Sequence, residues 1–64
     1  MNSYENLRRL MFERNVTLAD VIRGSGVTRP TFWHWKRGEH QPTVTTLKKI
    51  ADYFGVSVTT FIDE

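Results

Sequence analysis

The stretch "QPTVTTLKKIADYFGVSVTTFI", Gln41 to Ile62, carries the clearest periodicity in the chain. After Pro42 and Thr43, apolar residues fall at Val44, Leu47, Ile50, Ala51 and Phe54, spaced three, three, one and three apart. That spacing lays one apolar stripe along an α-helix. Thr43 stands where a hydroxyl can cap the first turn, and Gly55 supplies the left-handed residue that commonly closes a helix. Ser57 then caps a further short helix holding Val58, Phe61 and Ile62.

Upstream, "TLADVIRGSGVTRPTFWHWKRG", Thr17 to Gly38, reads as two short helices joined by a turn. Thr17 caps the first, which turns Val21 and Ile22 inward, and Gly24 and Gly26 break it. Gly26 suits the positive φ of a tight turn. Thr28 caps the second. Pro30 fits its first turn, because N–H groups there lack intrahelical partners. Gly38 ends that helix, and "EHQP" forms a loop. Nearer the start, Ser3 caps a helix with Leu7, Leu10 and Met11 on one face, ending near Asn15, a residue that tolerates the left-handed conformation. The expectation is an all-α, compact five-helix bundle, with residues 1–64 as one domain.

Bulk properties narrow the classes. A chain of 64 residues buries only ~60% of the surface it exposes when unfolded. With no cysteine, disulfides, thiolate zinc sites and thiol catalysis are excluded. The net charge of +2, from nine basic and seven acidic residues, is too small to indicate nucleic acid, so placement decides. No signal-peptide core is present, and no segment approaches the ~20 apolar residues of a membrane span. A soluble, cytoplasmic protein of a bacterial or phage-infected cell, without a membrane partner, is expected. His34 and His40 lie on separate elements and make no metal site. No nucleophile–base pair or glycine-rich phosphate cradle is visible, so neither enzyme activity nor a cofactor is expected.

Both quoted stretches resemble the phage-repressor (Cro/cI-like, XRE) helix-turn-helix domains, the lambda-repressor-like fold. The likeness runs from Tyr4 to Ile62. Gln41 to Ile62 is similar to the family's Pro-Ser/Thr-x-x-x-Leu-x-x-Ile-Ala-x-x-Leu-Gly-Val-Ser close. Thr17 to Gly38 is similar to its helix-turn-helix with a Gly-Val-Ser/Thr turn and terminal Trp-x-x-Gly. The resemblance implies that helices two and three, about 17–37, bind DNA, with the third, about 29–37, in the major groove. It implies a double-stranded operator as partner and a transcriptional regulator of the repressor kind, phage or mobile-element type. It also implies a homodimer, formed on DNA or through a C-terminal region beyond this chain.

Helical rotation agrees with that placement. At about 100° per residue, Phe32 and Trp35 fall within ~60° of each other on an inward face. Pro30, Trp33, His34 and Arg37 cluster opposite, flanked by Arg29 and Thr31. A merely solvated face more often carries Glu, Lys or Gln. Arg29, Thr31, Trp33 and His34 are therefore the base-contact candidates: arginine reads guanine, and an indole packs on a thymine methyl. Thr17, Thr28, Arg37, His40, Gln41, Thr43 and Thr45 are the phosphate-contact candidates, the last two because a helix N-terminus favours anions. Lys36 turns toward the core edge, Lys48 and Lys49 read as ordinary surface, and Arg8 and Arg9 face either DNA or solvent.

Some positions depart from the family pattern. Leu18 replaces a phosphate-touching Gln, Ile22 replaces a small Ala, and Ser25 replaces an apolar residue. Met11 and Lys36 stand where many members carry an ion pair, which should be absent. A different reading keeps the fold without DNA binding: a protein-interaction module anchored by exposed Trp33.

Overall fold

Hydroxyl residues open three elements of the protein, whose computed structural model describes residues 3–62. The chain forms α1 (Ser3–Arg14), α2 (Leu18–Ser25), α3 (Arg29–Lys36) and α4 (Val44–Phe54), then a 3₁₀ turn, Val58–Phe61. Ahead of α2, the Thr17 hydroxyl accepts from the Asp20 amide at 3.2 Å. Asp20 returns the bond by accepting from the Thr17 N–H at 2.9 Å. This reciprocal pair satisfies two donors that the first helical turn leaves open. Thr43 and Ser57 cap α4 and the 3₁₀ turn in the simpler way, accepting from the Thr46 and Thr59 amides.

Thr28 departs from expectation. It holds the N-cap position of α3, yet its hydroxyl makes no cap bond and lies 3.3 Å from the Thr31 hydroxyl. Pro30 removes one N–H the cap would serve, and the Thr31 N–H is taken by the Thr28 carbonyl at 3.2 Å. The expected fifth helix is a four-residue 3₁₀ turn, ending where Ile62 returns to extended backbone. A segment this short, rich in β-branched residues, gains too little from α-helical bonds to offset nucleation.

Three helices end alike. Asn15, Gly38 and Gly55 take positive φ of 56°, 77° and 71°. The following residue returns its N–H to a carbonyl five residues back, 3.0 Å in each case: Val16 to Met11, Glu39 to His34, Val56 to Ala51. Val16 and Val56 pack on the core. Glu39, which closes α3, is exposed.

Trp35 lies at the centre of the core, 1% exposed. Tyr4 meets its ring edge-on at 5.4 Å, and Phe61 does so at 6.2 Å. Such aromatic pairs add packing energy beyond simple area burial. The indole N–H needs a buried acceptor and finds it in the Ser3 hydroxyl at 2.8 Å; Ser3 in turn donates to the Gln41 side-chain carbonyl at 3.3 Å. Ser3 thus lies within α1 as an internal hydrogen-bond partner, not as the expected cap. Gly24 is a second correction: it lies inside α2 rather than breaking it. A Cβ there would sit 2.2 Å from Tyr53 Cε1, so the glycine lets α2 and α4 approach. Gly26, with φ of 77°, does end the helix as expected.

Leu47, Ile50, Ala51 and Phe54 form the buried stripe of α4, while Val44 departs from it at 61% exposed. Arg14 donates to the Phe54 carbonyl at 3.0 Å, fastening the end of α1 to the end of α4. Asn6 donates to the Thr60 carbonyl at 2.8 Å and secures the 3₁₀ turn. Among the described residues, no helix is long and apolar enough to cross a membrane.

Candidate nucleic-acid interface

Burying Phe32 and Trp35 sets the rotation of α3 and leaves its other face outward. Arg29, Pro30 and Trp33 are exposed, His34 is half-buried, and together these four line a shallow, largely apolar groove. Trp33, 54% exposed, carries the Arg37 guanidinium 4.5 Å from its ring centroid. This stack is a cation–π contact that also holds the arginine along the helix. The Trp33 and His34 rings lie 5.5 Å apart, edge to face, and His40 stands 5.9 Å from His34.

Glu39 ties this face together. One carboxylate oxygen meets His34 Nδ1 at 2.5 Å, and the other meets Arg37 at 3.3 Å. Glu39 is not among the residues that the sequence marks as candidates. The available signal was Gly38: a left-handed residue after a helix brings its successor back over the residue five positions earlier. For Glu39 that residue is His34.

The remaining candidates differ in what they leave free. Thr31 is half-buried beside Thr28, while Thr45 and His40 are exposed. The Thr43 hydroxyl donates to Thr46 Oγ1 at 3.1 Å, so its hydrogen is spent within α4. An anion there would meet the opening amides of α4 and the Thr45 hydroxyl instead. Gln41 is exposed and gives its side-chain carbonyl to Ser3. Thr17 has the Asp20 carboxylate beside it. The Thr17 N–H and hydroxyl, with Arg23 at 2.7 Å, hold that carboxyl below its usual range. A phosphate at Thr17 would therefore meet a carboxylate only partly offset by Arg23.

Lys36 is exposed and borders a hollow shared with Tyr4, Leu18 and Phe32, matching a stem laid along the core edge. Lys48 pairs with Asp52 at 3.8 Å on the solvent side of α4. Arg8 and Arg9 are both exposed. Arg8 bears on Tyr4: burial pushes the Tyr4 phenol above its ordinary value, and the Arg8 charge pulls the other way.

The departures from the family pattern are absorbed locally. Leu18 and Ile22 pack half-buried against the core. Ser25 donates to the Val21 carbonyl at 2.6 Å and accepts from the Val27 amide at 3.2 Å, which satisfies its hydroxyl inside the turn. The ion pairs among the described residues lie within α2, at the end of α3 and within α4. No group of three metal-ligating side chains occurs among the described residues.

Comparison with known proteins identifies the class. Residues 6–63 match the Cro/C1-type HTH DNA-binding domain, and the chain belongs to that family. Among curated proteins it is similar to the Cryptic phage CTXphi transcriptional repressor RstR of Vibrio cholerae, 28% identical over 58 residues. The match covers 91% of this chain and 52% of RstR, so the chain spans about half the length of that relative. No solved structure matches the chain.

Proposed function

We propose that residues 1–64 are a sequence-specific, double-stranded DNA-binding domain of a transcriptional repressor, in which α2 and α3 form the helix-turn-helix. The observation that carries this reading is the outward face of α3. Arg29, Trp33, His34 and Arg37 gather there, while Phe32 and Trp35 anchor the opposite side in the core. With α3 in the major groove, Arg29, Thr31, Trp33 and His34 read base edges, and the apolar groove between Pro30 and Trp33 admits a thymine methyl. Arg37, His40, Gln41, Thr45 and the amides opening α4 hold phosphates, with lesser contributions from Thr17, Thr28 and Thr43. The domain binds paired half-sites as a homodimer. Similarity to a protein named a phage transcriptional repressor supports the regulatory role.

Selection from a random DNA pool, followed by footprinting, tests the proposal; the expected result is one enriched, two-fold-symmetric site. Arg37→Ala is expected to weaken binding to all sequences alike, whereas Arg29→Ala and His34→Ala change the preferred bases. Equal losses across a panel of operator variants for all three would refute the readout assignment.

A second reading, protein docking through Trp33, draws support from the exposed indole and its apolar groove. Salt titration separates the two, since phosphate contacts lose affinity steeply with added salt and an apolar interface does not.

A further inference from the structure

We propose that Glu39 sets which nitrogen of His34 is offered to DNA, and so decides the base preferred opposite that residue. This role rests on the DNA-binding reading above and names a specificity-determining residue outside the helix itself.

The geometry begins in the backbone. Gly38 takes φ of 77°, and the Glu39 N–H bonds the His34 carbonyl at 3.0 Å, so the chain doubles back over the end of α3. The two equivalent closures, at Val16 and Val56, place an apolar side chain in the returning position. At α3 the returning side chain is a carboxylate, and it meets the residue its own N–H contacts. Its Oε1 lies 2.5 Å from His34 Nδ1. An ionised carboxylate only accepts hydrogen bonds, so Nδ1 must carry the hydrogen. Nε2 is then the ring atom left for a ligand, and in the neutral ring it is an acceptor. A base amine, adenine N6 or cytosine N4, is its complement in the major groove. The alternative tautomer, with hydrogen on Nε2, would favour guanine O6 or thymine O4 instead.

The second carboxylate oxygen matters as well. Glu39 Oε2 holds Arg37 at 3.3 Å, and Arg37 lies over Trp33. Both oxygens of an acid on a phosphate-facing surface are thereby spent on cationic or N–H donors, which limits its repulsion of DNA. Removing the acid frees Arg37 for phosphate while releasing the His34 ring. Glu39→Ala is therefore expected to bind unspecific DNA more tightly and discriminate less, a combination that simple damage to the fold does not produce.

The experiment has two arms. In the free protein, nitrogen-15 NMR of the His34 ring, above its titration midpoint as located in the same spectra, reads the tautomer. Wild type should show hydrogen on Nδ1; Glu39→Ala should shift it toward Nε2; Glu39→Gln, whose amide oxygen still accepts, should restore the wild-type signature. In the second arm, selection at the same pH should give wild type and Glu39→Gln an amine-bearing base opposite His34. Glu39→Ala should lose or reverse that preference, by about fivefold, the worth of one hydrogen bond. An unchanged tautomer in Glu39→Ala, or an unchanged preference at that base, overturns the role of Glu39 alone. If wild type enriches no sequence, the DNA-binding reading fails and this role fails with it.

Discussion

Trp33 and Trp35 are the same residue type, two positions apart on one helix, and they do opposite work. Trp35 is 1% exposed, ringed by aromatics, with its N–H bonded to a buried serine. Trp33 is 54% exposed and stacks under an arginine. The difference follows from helical rotation, since about 200° separates residues two apart. A side chain's job in this small domain is thus set by its phase on the helix before its chemistry matters. The inner face of α3 stabilises; the outer face stays exposed to solvent.

The most direct way to break that contrast is to truncate each tryptophan. Trp35→Ala removes the centre of the core and should cost about 3–5 kcal/mol. In a domain of this size that loss leaves little folded protein, read by circular dichroism and urea denaturation. Trp33→Ala should cost no more than about 1 kcal/mol, because what is lost is exposed contact with the Arg37 guanidinium and the His34 ring. Its effect should appear in DNA binding instead. Comparable destabilisation by both would end the division of labour.

Ser3→Ala sharpens the comparison by leaving the Trp35 ring in place and removing only its acceptor. The orphaned indole N–H should cost about 1–3 kcal/mol. A near-neutral result would mean that Trp35 is held by packing alone. Gly24→Ala probes the inner face one helix earlier. Alanine normally improves a helix interior, but here its methyl meets the Tyr53 ring. A net loss of about 1–2 kcal/mol is expected, with Tyr53→Ala removing the penalty in the double mutant.

The smallest expected effect belongs to the outer surface. Hydrogen bonds from Thr17, aided by Arg23, hold the Asp20 carboxyl below its usual value. A carboxyl lowered by folding adds stability above its unfolded value and loses that contribution as pH falls through its folded value. Urea midpoints between neutral and acid pH should therefore decline slightly below the ordinary Asp range. Asp20→Asn should flatten that part of the curve; an identical slope would show that the capping box does not titrate.

Several features were legible because they depend on neighbours in sequence. The Thr17, Thr43 and Ser57 caps, the left-handed closures at Asn15, Gly26, Gly38 and Gly55, the stripe of α4 and the opposition of Trp33 to Trp35 all follow from helical period and turn chemistry. Thr28 holds the N-cap position without a side-chain cap bond, because Pro30 removes a donor. Val44 shows the limit of periodicity: it sits on the stripe, but the core does not extend to the first turn of α4.

By itself, then, the sequence determined an all-α chain of short capped helices and which side of α3 points outward. Those outcomes rest on hydrogen bonds and rotations within a few residues. Tertiary structure alone decided that Ser3 receives the Trp35 N–H, that Gly24 makes room for Tyr53, and that Arg14 fastens α1 to α4. These contacts join residues 29 to 40 positions apart, and no local pattern encodes which of them meet. Glu39 stands between the two cases. Its backbone position was readable from Gly38, but its hold on both His34 and Arg37 required the side chains in space.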